Sequence, residues 1–408
     1  MTNTLHGFVF GKIGDKYMTK KESDDGHILV IGGAGSGKSS CIAIPSLMAW
    51  KERVFCIDVK GELYKNTWNL KPNAKVFNPL DSATYGYDPF YLLGTTYNQA
   101  QEAEAISMAL IPLPPKIEDT FWIQSARNML TGLMLHFYNL RYSFTETMIK
   151  IQSSNVGKLI DEIYDSSKTE EAKLYINSFV FMENKTLSGV YAELSRNIMI
   201  FATDRNIKQS LSQTRKISPY DLENGSDIYL CIPEHLLRQW KSLLTLMVSQ
   251  FLRHFEQRPD MTAAPILFML DEFARLGKIE DITDAFATLR SKKITICAII
   301  QSLAQLDNIY GESTRRVIAD NCQYKAVLNA TDAESQEYFS KLVGTYEKTK
   351  ISTDKRYEAV TRFPAGSGVH RTTEEKRAIN PEKFATLPFI ALFTPFGFYR
   401  TQKTPYWE

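Results

Sequence analysis

The sequence is 408 residues long, 44% hydrophobic and 23% charged. That composition excludes a disordered or fibrous chain, and the length suffices for one large α/β core with a second domain beside it. With 48 Lys and Arg against 46 Asp and Glu, the formal net charge is only +2, which argues against broad coating of duplex DNA and leaves room for local nucleic-acid contacts.

Residues 1–26 are dotted with Gly and Lys and carry no clear period. His27–Ile31 (HILVI) then reads as a short buried strand, followed by a glycine loop and a helix from about Lys38. Arg53–Asp58 (RVFCID) is a second such strand. The stretch Asp119–Gln213 has no convincing buried strand and several 3.6-residue periodic runs, such as Ala126–Leu140 and Ser188–Phe201. Pro112, Pro114 and Pro115 mark its approach, so an all-helical domain inserted into the α/β domain is expected. Asp227–Ile232, Pro265–Asp271, Ile294–Ile300 and Tyr324–Asn329 resume the strand pattern. These runs are continuously apolar rather than alternating, as strands of a parallel sheet buried on both faces must be. The expected architecture is α/β with a mostly parallel central sheet. Its α/β domain is discontinuous, 1–118 with 214–408, and 119–213 is all-α. Lys348–Arg377 is polar, contains Gly366, Ser367 and Gly368, and reads as a mobile loop.

The five cysteines (41, 56, 231, 297, 322) form no CxxC or His/Cys cluster. They read as buried thiols in a reducing cytosol. No apolar signal core and no run of about 18 apolar residues is present, so no membrane span is expected. Trp50, Trp68, Trp122 and Trp240 lie in helical or amphipathic surroundings and read as core rather than base-stacking residues.

Gly32-Gly-Ala-Gly-Ser-Gly-Lys-Ser39 matches the phosphate-binding P-loop in full, after a strand and before a helix. Glycines let backbone N–H groups curl around phosphates without a Cβ in the way. The binding set is Gly33, Ala34, Gly35, Ser36, Gly37, Lys38, Ser39 and Ser40. Lys38 reaches the β- and γ-phosphates, Ser39 ligates Mg²⁺, and the helix N-terminus adds positive potential. Asp271-Glu272 closes the apolar run ILFML, and the carboxyl end of a core strand lies beside the P-loop in such sheets. Asp271 would hold the metal shell. Glu272 would polarise the attacking water, a role hydrolysis needs and phosphate transfer to a substrate does not.

Gln301 ends the strand ITICAII, where an amide would sense the γ-phosphate or orient water; a plain polar strand end is the alternative. Asp58, Lys60 and Glu62 follow the second strand, and either a site role or a solvated loop fits them. Arg290, Lys292 and Lys293 form a charge cluster that reads as a solvated turn or, in a ring-forming ATPase, as the source of an arginine reaching a neighbour's γ-phosphate. Arg315 and Arg316 read as surface-solvated. No NKxD guanine reader follows the Asp271 strand, which weighs against a GTPase.

With these residues in hand, the chain resembles the TraG/TraD-like coupling proteins of type IV secretion. The likeness includes HILVIGGAGSGKSS, IDVKGELY at Ile57–Tyr64, VFNPLD at Val76–Asp81, GYDPF at Gly86–Phe90 and Phe121–Trp122. It continues through LDEFARLGKI at Leu270–Ile279, IIQSLAQLDNIYG at Ile299–Gly311 and SKLVG at Ser340–Gly344. The resemblance implies a RecA-like P-loop fold using ATP and Mg²⁺. It gives Asp271 and Glu272 as the Walker B pair and Gln301 as the third-motif glutamine. Arg290 falls at the arginine-finger position, although LRSKK lacks the glycine flank common there. It further implies a hexameric ring with sites between subunits and single-stranded DNA in a central pore. The implied partners are relaxase and accessory relaxosome proteins facing the helical domain, and inner-membrane secretion channel proteins. The expected location is the cytoplasmic face of the bacterial plasma membrane. The family's N-terminal membrane segment does not show in this sequence, so the chain itself is expected to be soluble; a homo-hexamer is expected when active, and an isolated monomer would not contradict the resemblance. Two other functions compete. One is an FtsK-type DNA translocase, which should lack the helical insertion. The other is a substrate receptor in which ATP only orders the fold.

Overall fold

A computed structural model describes residues 5–114, 119–357 and 364–408. Pro115, from the proline-marked approach to the helical segment, lies outside them, as do residues 358–363 of the expected loop.

The strands are, in chain order, β1 (Phe8–Ile13), β2 (Lys16–Lys20), β3 (Ile28–Ile31), β4 (Arg53–Asp58), β5 (Ala74–Phe77), β6 (Gly86–Tyr87) and β7 (Lys216–Ile217). They continue with β8 (Asp227–Cys231), β9 (Ile266–Leu270), β10 (Ile294–Ile300), β11 (Tyr324–Val327), β12 (Thr345–Tyr357), β13 (Pro364–Arg377), β14 (Phe389–Thr394) and β15 (Gly397–Gln402). One eleven-stranded sheet runs β2-β1-β15-β14-β11-β3-β10-β9-β4-β8-β5. From β11 to β5 the neighbours are parallel. From β2 to β14, and on to β11, they are antiparallel.

The expected strands all form, each within a residue or two of its sequence limits. Their continuous apolarity has a simple cause. In β3, Ile28 and Val30 enter one core layer with Ile42, Leu47 and Trp50, while Leu29 and Ile31 enter the opposite layer with Phe251, Phe273 and Ile279. Alternate side chains thus go to two buried faces, and neither tolerates a polar group.

β1 and β2 correct the reading of residues 1–26 as patternless. They extend the sheet, with a register shift between Val9 and Lys12. Gly11 sits there at φ +95°, and a Cβ on it would lie 2.2 Å from the Gln402 carbonyl oxygen. Only glycine fits this bulge. A Gly-interrupted strand shows neither sequence period, which is why it was not legible.

The polar segment 348–377 is also corrected. Its described residues, 348–357 and 364–377, are not irregular but form most of a two-stranded antiparallel pair, β12 with β13, registered from Thr345↔Arg377 onward. At its base Arg377 grips Glu337 through two bonds of 2.6 and 2.7 Å. Residues 345–351 and 371–376 are exposed, so this part of the pair has no core face to fill.

Helices fill Phe121–Leu211, including Phe121–Asn139, Phe144–Ser153, Glu170–Val180 and Asn184–Thr203. The last buries Leu187, Val190, Leu194, Ile198 and Phe201, a stripe at three- and four-residue spacing. Ser143 opens Phe144–Ser153 with a reciprocal capping box to Glu146. Their core is continuous with the Leu29/Ile31 layer of the sheet. Arg127 fixes the junction: its Nε donates to the Ile111 carbonyl at 2.8 Å and its Nη2 pairs with Glu280 at 3.0 Å.

Of the four tryptophans read as core, Trp50 and Trp240 are buried; Trp68 is 60% and Trp122 41% exposed, so the core assignment fails for them. Trp122 covers Gly189, where a Cβ would meet its ring at 2.7 Å. Among the described residues no helix is long and apolar enough to cross a membrane.

Candidate functional site

The strand order makes the site. β10 lies between β3 and β9, with Ile300 opposite Ile31 and Ala298 opposite Leu270. The three strands therefore release Gly32, Gln301 and Asp271 at one edge of the sheet. Gly32 N–H donates to the Ile300 carbonyl at 3.1 Å, which keeps the loop level with the strand.

The loop Gly32–Ser39 then turns into a helix. Gly37 has φ +98°, a conformation that costs any residue with a Cβ. The first turn is wide: the Ile44 N–H bonds to the Ser39 carbonyl, five residues back, before the α-helical run Ile44–Ala49 begins. Lys38 folds back, its Nζ donating to the carbonyls of Gly32 (2.6 Å) and Gly33 (3.0 Å). Burial lowers its pKa, opposed by the nearby Glu272 and Asp271.

Asp271 and Glu272 are buried, at 5% and 8% exposure. Burial, with Glu272 and Asp58 close by, pushes the Asp271 carboxyl up to about 7. A buried acid cluster held this way is a site short of positive charge. Glu272 adopts φ +49°, ψ +40°, a left-handed conformation rare outside glycine. Its carboxylate accepts from Gln301 Nε2 at 3.2 Å, and the Gln301 backbone N–H is held by the Gln305 side chain at 3.0 Å.

These groups share one cavity of about 430 Å³, lined by Ala34 through Ser40, Ile44, Lys60, Glu62, Asn66, Glu234, Asp271, Glu272, Gln301, Tyr406 and Trp407. Gly33 stands behind the lining, its N–H bonded to Asn329 Oδ1 at 2.6 Å. Asp58 is buried beneath the cavity wall. One of its oxygens accepts the Tyr64 N–H at 2.9 Å, while Oδ1 has no hydrogen-bond partner among the described residues. Burial raises its pKa against several backbone donors. Among the described residues no cluster of three or more His, Cys, Asp and Glu forms a ready metal cage. A cation bound here would complete its coordination with oxygens of substrate or water.

Arg290 is not in the cavity. It lies in the turn before β10, at the edge where Ile294 pairs with Ile266, opposite the edge bearing Gln301. It is exposed, and among the described residues its guanidinium has no carboxylate partner. Lys292 and Lys293 are instead tied to Asp260 (2.8 Å) and Asp25 (3.3 Å). Arg315 corrects its surface assignment. It is 4% exposed and pairs with Asp307 and Glu334, each at 3.1 Å; only Arg316 is solvated.

The sequence passed over Asn329, Asn66, Tyr406 and Trp407. Asn329 carries a weak signal as a polar end to an apolar strand. The other three join the site through long-range contacts with no local pattern.

A family model described as type IV secretory system conjugative DNA transfer matches residues 2–387. The chain belongs to that family. Among curated relatives, a VirD4 protein of Rhizobium radiobacter is 28% identical over 367 residues, 86% of this chain and 53% of that protein. A conjugal transfer protein TraG of Agrobacterium fabrum is 23% identical over 338 residues, 78% of this chain and 51% of that protein. The chain thus spans about half the length of the curated relatives it matches. Among solved structures, the unbound conjugative coupling protein TrwBdeltaN70 superposes with TM-score 0.74 at 17% identity, covering 97% of this chain and 88% of that one. TrwB with the ATP analogue ADPNP matches equally, TM-score 0.74 at 17% identity over 99% and 90%. The fold of this conjugative-transfer family member is therefore the RecA-like P-loop fold.

Proposed function

We propose that this chain is the ATP-hydrolysing part of a conjugative type IV secretion coupling protein, which recruits relaxase-bound single-stranded DNA and drives or gates its transfer. The observation that carries the reading is the one cavity in which Lys38, Ser39, Asp271, Glu272 and Gln301 meet. ATP and Mg²⁺ are the proposed ligands. The neighbour TrwB was solved with ADPNP and with ADP and Mg²⁺, which supports this choice. The orphaned Asp58 oxygen and the raised Asp271 pKa also fit a site that takes a divalent cation.

In this reading the loop N–H groups of residues 34–40 cradle the phosphates, and Lys38 leaves the Gly32 and Gly33 carbonyls for the β- and γ-phosphates. Ser39 and Asp271 would hold the magnesium, whose charge would offset that of the phosphates. Glu272 orients and polarises the attacking water. Gln301, now bonded to Glu272, turns toward the γ-phosphate and couples its presence to the base. Arg290 lies outside its own cavity, and its proposed role is to serve a neighbour's site in a homo-hexamer.

Residues 119–213 are proposed as the substrate-selecting unit, set into a nucleotide-binding unit of 1–118 and 214–408. Single-stranded DNA, relaxase, accessory relaxosome proteins and inner-membrane channel proteins are the proposed partners, at the cytoplasmic face of the plasma membrane. The helical segment favours this reading over an FtsK-type translocase.

The test is hydrolysis measured with and without single-stranded DNA across protein concentration. Stimulation by DNA, a rate rising steeply with concentration, and loss in Lys38→Ala are expected. A flat, DNA-insensitive rate that survives Lys38→Ala would overturn the proposal.

A further inference from the structure

The cavity has an aromatic wall that the phosphate chemistry does not use. Tyr406 and Trp407 line it from a segment nearly 370 residues beyond the P-loop. That segment is pinned at two points. The Tyr406 N–H donates to the Ser40 carbonyl at 2.9 Å, and the Tyr406 hydroxyl bonds to Asn66 Oδ1 at 2.9 Å. Ser40 directly follows the proposed metal ligand Ser39, so the pin sets the aromatic pair beside the start of the P-loop helix. Tyr406 and Trp407 meet at 4.9 Å between ring centroids and 75° between planes. Trp407 is nonetheless 66% exposed. The protein thus holds a large apolar ring by its backbone and its neighbour, and leaves most of the ring open beside a polar cavity.

Resting on the nucleotide reading above, we propose that Trp407 is the stacking platform for the nucleobase of the bound nucleotide. A planar π-face presented beside a phosphate loop fits a base, and stacking is worth about 1–3 kcal/mol per base. The rim also predicts what the platform reads. Asn66 is the amide beside the pair: its Oδ1 accepts from Tyr406 and one Nδ2 hydrogen goes to the Glu62 carbonyl at 2.7 Å, which fixes the plane of the amide. The Ser40 carbonyl is likewise taken by Tyr406. The platform itself selects by ring area, since a stacked indole face makes no hydrogen bond to the base edge. Purines bind alike and pyrimidines bind less well, because a single ring covers less of the indole.

Calorimetric titration of the whole chain with ADP, GDP, CDP and inorganic tripolyphosphate tests this. For Trp407→Ala, ADP affinity falls about tenfold, the equivalent of about 1.4 kcal/mol; tripolyphosphate affinity is unchanged, and Trp407→Phe keeps most of the ADP affinity. In the wild type GDP matches ADP within about threefold, and CDP is weaker. Unchanged ADP affinity in Trp407→Ala overturns the platform while leaving the phosphate site standing. An equal loss of ADP and tripolyphosphate also overturns it, since the residue then only supports the loop. If wild-type protein binds neither ADP nor tripolyphosphate, the nucleotide reading itself falls, and Lys38→Ala, expected to lose both ligands, separates that case from the first.

Discussion

Arg290 gives the most demanding test of a site shared between subunits. β10 spans Ile294–Ile300, so six residue steps of about 3.3 Å put roughly 20 Å between the turn bearing Arg290 and the edge bearing Gln301. An arginine side chain cannot close that gap, so Arg290 cannot stabilise charge in its own cavity. In trans, an arginine finger contributes about 10³–10⁵-fold to turnover. Arg290→Ala and Lys38→Ala should therefore each be inactive alone. Mixed in equal amounts and allowed to exchange subunits, they should regain activity. A working site needs Lys38 from one subunit and Arg290 from the next, and random mixing supplies that pairing at about one quarter of the sites. Hydrolysis measured across mixing ratios should peak near that fraction of wild-type rate at equal amounts. No recovery, with mixed oligomers demonstrated by differently tagged subunits, would refute the trans assignment. Substantial activity in Arg290→Ala alone would refute any catalytic role.

Three further predictions are smaller in scope. If Gln301 acts as proposed on the γ-phosphate and the base, Gln301→Ala should lower turnover about 100-fold while ADP affinity, by calorimetry, stays near wild type. Arg127→Ala should cost about 2–3 kcal/mol in urea unfolding, less than a fully broken buried pair, because Glu280 keeps Lys278 at 3.1 Å and the Leu113 N–H at 2.9 Å. Lys20 is fully buried, and burial lowers its pKa from 10.5 to about 8 against the attraction of Asp24. Between these values the unfolded chain binds the proton that the folded chain has released, so stability rises as pH goes from about 8 to 10.5. The difference in unfolding free energy between wild type and Lys20→Met, followed across that window, should shift in favour of wild type; a pH-independent difference would refute it.

Much of the site was legible in the sequence because the motifs proposed for phosphate binding and hydrolysis lie in contiguous residues. Gly32–Ser39 must be a glycine loop between strand and helix, and LDE must end a buried strand, so each announces itself locally. The parallel strands were legible for a related reason: burial on both faces leaves only apolar, β-branched residues, an unambiguous local signature. Strands with one buried face, a bulge or no core face lack that signature. β1, interrupted by Gly11, and the pair of β12 and β13 were therefore misread, and Arg315 was taken for a surface residue because its partners Asp307 and Glu334 are brought to it by the fold.

The sequence by itself determined that a phosphate loop, a carboxylate pair and a terminal glutamine exist on separate strands. Only the tertiary structure decided that β10 lies between β3 and β9, which sets Gln301 against Glu272 and turns three strand ends into one cavity. It alone decided that Arg290 stands at the far edge and that Trp407 reaches the rim. The physical reason is that a strand's order in a sheet, and the return of a distant segment, depend on which buried faces pack together across hundreds of residues. No local pattern of side chains encodes that choice.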